Sequence, residues 1–298
     1  TTGRPGPVLL DIPMDLQRQT INTNKLKSFY PPIKKKKEFK KKYKFLINKI
    51  IQSNKPVLIL GGGIKYAKAE DNLKLFLKKF DIPIVSTWSG VDLIDHSNEN
   101  YIGNVGVYGS RASNFTVQNS DLVLSLGSRL DTRITGGVPK NFARNAKKIV
   151  IDIDKSELNK KRGLKIDHKV NVNVKNFLQD INKISFKKIS KPDWNKKCIL
   201  WKKKYPIVLD RYYKYKDFVN PYIFIRYLSK ILDKSDIIIA DDGGHLTWTL
   251  QAFKIKYGQK LFSAFGNSPM GYALPASIGA SIAKKNSRII CIDGDGQY

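Results

Sequence analysis

The chain has 298 residues, 41% of them hydrophobic, which is enough for one large or two ordinary domains with a substantial core. No apolar run reaches the roughly 18 residues that a membrane span needs, so we expect no membrane partner. The formal net charge of +29 comes from 44 lysines and 10 arginines spread over most of the chain. Because base-reading surfaces depend on arginine, we expect no nucleic-acid partner beyond non-specific polyanion binding at low salt.

The first 42 residues carry little predicted structure. Residues 8–12 form a short apolar segment before Pro13, which predicts one strand. A strand without an earlier partner indicates that residues 1–20 are the C-terminal remnant of a domain. The chain begins without Met and shows neither a signal nor a transit peptide, so we expect an internal piece of a longer protein. Residues 21–42, with paired prolines and a lysine-rich run, are typical of a linker.

Residues 43–185, which we call the first block, alternate short apolar segments with helix-like stretches. Strands are predicted at 56–60, 83–86, 121–126 and 148–153. Between the first two strands, apolar residues from Leu73 to Phe80 recur with helical spacing. This alternation predicts an α/β fold with parallel sheets and helices on both faces, here as a central Rossmann-like domain.

The same pattern resumes after a basic, aromatic stretch at 186–220, which we interpret as a second linker leading into a helix. Residues 221–298 predict a helix at 222–232, a strand at 237–240, a helical segment at 270–283 and a strand that ends at Gly294. We expect Cys291 to be buried in that last strand.

The cysteines and histidines indicate neither a disulfide framework nor a transition-metal site. Cys198 and Cys291 lack metal-binding spacing, and the three histidines are scattered. Two free thiols fit a cytoplasmic protein or, alternatively, an organelle matrix.

Gly61, Gly62 and Gly63 follow a predicted strand and precede a helix. Such a loop lets a phosphate approach backbone N–H groups at a helix N-terminus. A tight turn between strand and helix would need glycine as well, so both interpretations remain open.

Two polar loops follow neighbouring predicted strands. The first contains Gly127, Arg129, Asp131 and Arg133, and the second contains the run Asp152, Ile153 and Asp154. Ligands of open parallel sheets bind at the carboxyl ends of the strands. A salt-bridged loop and a helix N-cap at Asp154 are the simpler alternatives. Loops that share one edge nevertheless favour a nucleotide pocket.

The second block, residues 221–298, contains three further motifs. The first, at 241–245, follows a predicted strand and contains Gly244 and His245; the second, at 269–271, contains Met270 and Gly271. The third, at 294–296 near the end of the chain, contains Gly294, Asp295 and Gly296. An aspartate between two glycines can hold a hard cation against a diphosphate, although a surface turn is the simpler reading of three residues alone.

As an ordered set, these motifs resemble the thiamine-diphosphate enzymes, specifically the acetolactate (acetohydroxyacid) synthase large subunit and its close relatives. Residues 3–15 are similar to the end of the family's pyrimidine-binding domain. Residues 104–109, 117–121 and 127–133 are similar to its central FAD-binding domain, within 43–185. Residues 241–248, 270–276 and 294–296 are similar to its diphosphate-binding domain, whose N-terminal part would span 221–298.

The resemblance implies roles for individual residues. Asp295 would ligate Mg²⁺, and His245 and Gly244 would lie beside the diphosphate of thiamine diphosphate. Gly294 and Gly296, on either side of Asp295, would bind the same cofactor. Met270, next to Gly271, would press beneath the thiazolium and help to bend the cofactor. The resemblance also implies a possible FAD site, lined by these residues: Gly106, Gly127, Arg129, Asp131, Arg133, Asp152, Ile153 and Asp154.

The resemblance also implies the activity: decarboxylation of pyruvate and transfer of the two-carbon unit to a second 2-keto acid, a transferase reaction of branched-chain amino-acid synthesis. The family forms its sites between subunits, so a homo-oligomer, dimer or tetramer, is expected, and a regulatory subunit could associate. The family's activating Glu would lie upstream of Thr1, and a further metal-binding Asn beyond Tyr298. We therefore expect this stretch alone to be inactive.

Departures from the family pattern keep two alternatives open. Val107 and Tyr108 replace the usual Met-His pair, Arg111 is an addition, and residues around His245 differ. The protein could therefore be another thiamine-diphosphate-dependent decarboxylase or carboligase with a different keto acid. The second alternative is a non-catalytic nucleotide-binding module, which would tolerate loss of Asp295.

Overall fold

The computed structural model describes Arg4, residues 6–30 and residues 40–294, with side chains described from Tyr43 onward in the last range. Within these residues the helices are α1 (Met14–Gln17), α2 (Lys40–Gln52), α3 (Gly63–Tyr66), α4 (Glu70–Leu77), α5 (Arg111–Gln118), α6 (Thr132–Thr135), α7 (Lys155–Asn159), α8 (Val174–Asn182), α9 (Pro192–Lys204), α10 (Pro221–Ile231), α11 (Gly244–Ala252) and α12 (Ala273–Ala283). The strands are β1 (Pro56–Leu60), β2 (Phe80–Asp81), β3 (Ile84–Ser86), β4 (Tyr101–Asn104), β5 (Leu122–Leu126), β6 (Lys147–Asp152), β7 (His168–Asn171), β8 (Ile189–Ser190), β9 (Ile237–Ala240), β10 (Lys260–Phe262) and β11 (Ile289–Ile292).

A six-stranded parallel sheet forms the centre of the first block, in the order β4-β3-β1-β5-β6-β7. The chain builds outward from β1 on one side and then returns to place β5 on the other side. The carboxyl ends of β1 and β5 therefore flank a topological switch point, the position where open parallel sheets leave a crevice for ligands.

Both faces of this sheet are covered by helices, because successive strand residues point to opposite sides. Leu58 and Leu60 of β1 pack in one apolar cluster with residues of α2, α4 and α8. Val57 and Ile59 of the same strand pack in another, with residues of α5, α7 and α9. The predicted α/β architecture with helices on both faces is confirmed.

The second block contains a three-stranded parallel sheet in the order β10-β9-β11. The predicted strands at 237–240 and before Gly294 are therefore present. The expectation that Cys291 is buried is wrong, because its thiol is exposed on β11, in contrast to the buried residues of the neighbouring strand β9. None of the helices in those ranges is long and apolar enough to cross a bilayer.

Three predicted segments differ from the structure. Residues 8–12 form no strand, since no described strand pairs with them, and their apolar side chains are exposed. Helix α2 begins at Lys40, inside the predicted linker 21–42. Within the predicted linker 186–220, β8 pairs with β2, and α9 buries Trp194 and Cys198 in the core of the first block. Residues 189–204 are therefore part of that block rather than a linker.

The two blocks are joined by a buried polar network. The side-chain oxygen of Asn104 in β4 accepts hydrogen bonds from Ser86 (2.7 Å) and Tyr101 (3.0 Å), while its amide donates to the Leu250 carbonyl of α11 (2.5 Å). Trp88, which begins the 3₁₀ helix Trp88–Leu93, packs in the apolar cluster of the second block. These contacts orient α11 against the first sheet.

His96 lies at the same junction. Its ring stacks on Tyr101 with centroids 4.4 Å apart, and its Nε2 lies 3.0 Å from the Val91 carbonyl oxygen. Burial, with a smaller contribution from the nearby Lys202 ammonium, lowers the pKa of His96 to about 4. The neutral imidazole is therefore the form that the folded protein accommodates.

We expect His96 to make the protein acid-labile. Because its pKa falls on folding, its contribution to stability is complete above the unfolded value near 6.5 and is lost as the pH falls towards 4. The loss amounts to up to about 3 kcal/mol. Urea unfolding of the full-length protein between pH 7 and 4.5 measures it. His96→Gln, which does not titrate, should show a shallower pH dependence, and equal slopes would refute the assignment.

Candidate functional site

A cavity of about 310 Å³ lies at the switch point of the six-stranded sheet. The loops after β1, β5 and β6 supply much of its wall, and residues predicted for a nucleotide pocket line it as follows: Gly127, Arg129, Asp131, Arg133, Asp152 and Ile153. These loops therefore lie together at the carboxyl edge of the six-stranded sheet, as the sequence predicts.

The loops after β1 and β5 touch backbone to backbone. The amide of Gly61 donates to the Leu126 carbonyl and that of Gly63 to the Gly127 carbonyl, both at 2.9 Å. Gly127 has a φ of +62°, and a Cβ there would lie 3.0 Å from the backbone nitrogen of Ile64. Close backbone packing therefore explains why glycine occupies position 61. Gly62 and Gly63 belong to the same loop and also line the cavity.

The loop after β5 is held by a cluster of charges. Arg129 donates to Asp131 (3.2 Å from Nε) and lies 3.8 Å from Glu157 of α7. Arg162 pairs with the other carboxylate oxygen of Glu157 at 3.6 Å and donates to the Arg129 carbonyl. Asp131 also accepts from the Arg133 amide (3.1 Å) and caps α6. The salt-bridged loop that we considered as an alternative is thus present, and it holds the Arg129 guanidinium at the cavity wall.

Aromatic side chains close the opposite part of the cavity. The Arg133 guanidinium lies 5.6 Å from the Trp88 ring centroid and donates to the carbonyl of Phe265, which comes from the second block. Both Trp88 and Phe265 line the cavity. A planar, partly charged ligand would meet a cation–aromatic wall here.

Two of the residues predicted for the nucleotide pocket lie outside the cavity, and a third lines it with a shifted pKa. Gly106 does not line the cavity; a Cβ there would collide with the Arg133 carbonyl, so this glycine permits close packing of the two loops. Asp154 lies outside as well and caps α7 by accepting from Ser156 and Glu157. Asp152 does line the cavity, and burial raises the pKa of its carboxyl group.

A second group of predicted residues follows the strands of the smaller sheet. β9 and β11 are parallel neighbours, so residues 241–245 and residues 293–294 leave the sheet at the same edge. The fully buried Asp241 joins three parts of this edge. Its amide donates to the Ile292 carbonyl (2.9 Å) and its carboxylate accepts from the amides of Asp242 (2.6 Å) and Ala273 (2.9 Å). Asp241 thereby positions the start of α12.

His245 stands in the first turn of α11. Its Nε2 is buried and has no hydrogen-bond partner in the described part of the chain. Gly243, with a φ of +153°, leaves room for the imidazole, because a Cβ there would lie 2.7 Å from its Cε1. Buried polar atoms are normally paired, so the unpaired Nε2 beside a glycine loop and a helix N-terminus fits a diphosphate oxygen.

The remaining predicted residues are only partly described. Met270 is 74% exposed, which is the opposite of an ordinary core residue, and Gly271 has a φ of +83° next to it. Gly294 donates its amide to Asp293 (2.9 Å), whose other carboxylate oxygen is buried and has no hydrogen-bond partner among the residues up to Gly294 that the structure describes. Asp295 and Gly296 lie outside the described residues. Within the described ranges, no cluster of three metal-ligating side chains occurs.

Sequence reasoning missed several residues of these sites. Trp88, Ser89 and Phe265 line the cavity without being singled out, and Asp241 was considered only as part of a motif. Phe265 reaches the cavity from the second block, so no local pattern could identify it. Asp241 follows a buried strand at the carboxyl edge, which is a signal that could have been used.

Comparison with known protein families agrees with this arrangement. Residues 44–181 match the central domain of thiamine pyrophosphate enzymes, and residues 241–298 match their C-terminal TPP-binding domain. The first match covers the strands around the switch-point cavity. The second covers the loops that leave the smaller sheet after β9 and β11. The chain belongs to the thiamine pyrophosphate enzyme family.

Its relatives include acetolactate synthases. The chain is 32% identical to the acetolactate synthase large subunit of Lactococcus lactis over 299 residues, covering 100% of this chain and 51% of that protein. It is 32% identical to the chloroplastic acetolactate synthase of Arabidopsis thaliana, with 100% and 45% coverage, and 29% identical to the isozyme 2 large subunit of Escherichia coli, with 100% and 52%. The expected resemblance is confirmed, and the chain spans about half the length of these relatives.

Proposed function

We propose that the full-length protein is a thiamine-diphosphate-dependent transferase that joins 2-keto acids, with pyruvate as donor, in the manner of acetolactate synthase. The observation that carries this proposal is the buried, unpaired Nε2 of His245 in a loop of the matched TPP-binding domain. Acetolactate synthases that align with the whole chain support the choice of reaction.

The chain's own residues would act by binding and positioning. His245 and the amides that open α11 would hold the diphosphate, and Asp295 would ligate the magnesium ion that neutralises it. When bound, thiamine diphosphate supplies the carbanion that attacks the keto acid. Asp241 would hold the first turn of α12, and with it Met270, in register with the diphosphate loop. The exposed Met270 side chain is available to contact the cofactor.

We propose further that the switch-point cavity binds FAD. Its position between β1 and β5, the Arg129 guanidinium and the Trp88 ring support a dinucleotide ligand. By analogy with the family, we also propose that the full-length protein forms a homo-oligomer, with or without a regulatory subunit.

Arg129→Ala should weaken FAD binding by the full-length protein about 10-fold, because it removes one charge-assisted contact. Flavin fluorescence quenching measures the dissociation constant. Arg144→Ala, which removes an exposed arginine outside the cavity, is the matched control. Equal affinities for the two variants would contradict the assignment of the cavity.

A second candidate is a related enzyme with a different keto acid. It is favoured by Tyr108, whose ring lies 5.5 Å from Trp88 and whose carbonyl accepts from Gln251 (2.7 Å), at the place of the family's usual histidine. A panel of 2-keto acids, assayed with thiamine diphosphate and Mg²⁺ for CO₂ release and for the joined product, separates the candidates. Pyruvate consumption with acetolactate as product supports the proposal. Turnover of another keto acid alone supports the second candidate, and cofactor binding without any turnover would contradict both.

A further inference from the structure

A second cavity, of about 240 Å³, lies between the two blocks. It shares no lining residue with the switch-point cavity and none with the His245 loop. Three cationic side chains from separate elements face it: Lys202 of α9, Arg226 of α10, and Lys254, which follows α11. None of the described residues that line it is an aspartate or glutamate.

The three cations repel one another without compensation by a carboxylate. Burial lowers the pKa of Lys202, and Lys254 and Arg226 lower it further. Burial, followed by Arg226 and Lys230, likewise lowers the pKa of Lys254. No ion pair within the described ranges includes any of the three. Lys202 and Arg226 are half-buried and Lys254 is exposed. By contrast, Lys65, another half-buried lysine, lies 2.8 Å from Asp92.

Hydrogen bonding leaves part of their donor capacity unused. Lys202 donates to the Tyr101 carbonyl (2.5 Å), and Arg226 donates through Nε to the Ala252 carbonyl (2.9 Å). The terminal guanidinium nitrogens of Arg226 and the Lys254 ammonium make no hydrogen bond to the described part of the chain. These groups are the donors that bind planar or tetrahedral oxyanions.

Helix dipoles account for only part of this positive charge. α9 and α11 both end near the cavity, and each helix C-terminus carries roughly half a negative charge. Two such ends offset about one of the three cations. An excess of about two positive charges remains, and it matches the charge of a phosphate group near neutral pH, about −1.5 to −2.

The size of the cavity limits the ligand. Its volume lies below the roughly 300–1,000 Å³ that is typical of sites for drug-sized molecules. A phosphate with a few attached carbon atoms fits this volume. The rings of His96 and Tyr205 contribute to the wall, and because His96 stays neutral at pH 7 it adds no further repulsion.

We propose that this cavity binds a small anion with a phosphate group, held by the Arg226 guanidinium and the ammonium groups of Lys202 and Lys254. The ligand is either inorganic phosphate or a small phosphate ester. The site goes beyond the proposed function, since neither thiamine diphosphate nor the dinucleotide would occupy it.

The test measures thermal unfolding of the full-length protein saturated with thiamine diphosphate, Mg²⁺ and FAD, so that the other phosphate sites are filled. Inorganic phosphate and, in a parallel arm, glycerol 3-phosphate are titrated at constant ionic strength near 0.15 M, which suppresses non-specific binding. We expect saturable stabilisation of the wild type. A lower apparent dissociation constant for one of the two probes identifies the source of the phosphate group.

Two variants make the test specific. Lys254→Ala should raise the melting temperature without phosphate, because one repulsive charge is gone, and should weaken phosphate binding about 10-fold. Lys203→Ala, an exposed neighbour of Lys202 on α9, should respond like the wild type. Equal phosphate shifts in both variants, or no saturable shift in the wild type, would overturn the proposal. Because the readout is unfolding, the result is independent of whether the protein acts on pyruvate.

Discussion

His245→Ala is expected to weaken thiamine diphosphate binding by the full-length protein roughly 10–100-fold while leaving the cofactor-free protein at least as stable as the wild type. A hydrogen bond to a charged group contributes about 1.5–3 kcal/mol, which gives the first effect. The second follows because the buried Nε2 has no partner among the described residues, so removing it costs none of the hydrogen bonds that the structure describes.

The opposite directions of these two effects distinguish binding from structure. A merely structural histidine would lower stability on replacement and would change affinity only through misfolding. Calorimetric titration with Mg²⁺ and thiamine diphosphate, together with urea unfolding of the apoprotein, measures both quantities. Thr247→Ala, two residues further along α11, is the matched control and should keep wild-type affinity. Unchanged affinity in His245→Ala would remove this residue from the site.

Gly61→Ala is expected to destabilise the full-length protein by more than about 3 kcal/mol. The new Cβ would lie 2.6 Å from the Cβ of Ser128 and would also collide with the Gly127 carbonyl oxygen. β1 and β5 are central parallel strands with backbone hydrogen bonds between them, so neither loop can move away without disturbing the sheet. Overpacking of this kind typically costs 1–3 kcal/mol, and more where the backbone cannot shift.

Gly137→Ala provides the control, because a Cβ at this position meets no atom within 4 Å. We expect it to change the free energy of unfolding by less than about 0.5 kcal/mol. Urea unfolding of both variants measures the difference. Similar stabilities for the two would show that the loops after β1 and β5 are not packed as described.

The central strands could be predicted from the sequence because they are buried on both faces. β1 is a continuous apolar run and β5 is interrupted only by Ser125, which is close to the pattern of an interior parallel strand. The edge strand β7, His168–Asn171, alternates half-exposed and exposed residues, and Val170 is its one apolar residue, so it offers no such run. Edge strands depend on their neighbour for hydrogen bonds rather than on burial, so their sequence carries less information.

Helix α9 was missed because its lysines obscured its apolar face. Trp194, Cys198 and Trp201 stand at positions i, i+4 and i+7, which is helical spacing. The five lysines between Lys196 and Lys204 dominated the composition of the segment. The apolar face packs on the first block, so spacing was a better guide here than composition.

The candidate sites followed from the rule that ligands bind at the carboxyl ends of parallel strands. It brought together the loops that contain Arg129 and Asp152 before any contact was known. It could not separate Asp154, which caps α7, from Asp152, which lines the cavity. Nor could it supply Phe265, because the approach of the second block depends on packing between elements far apart in sequence.

We propose that the full-length protein uses thiamine diphosphate to join two keto acids. The most direct test incubates it with pyruvate, Mg²⁺, thiamine diphosphate and FAD and assays for acetolactate, beside the Asp295→Ala variant and a reaction without thiamine diphosphate. We predict product in the complete reaction, none without the cofactor, and a loss of at least about 100-fold in the variant. No acetolactate in the complete reaction, or full activity in Asp295→Ala, would contradict the account.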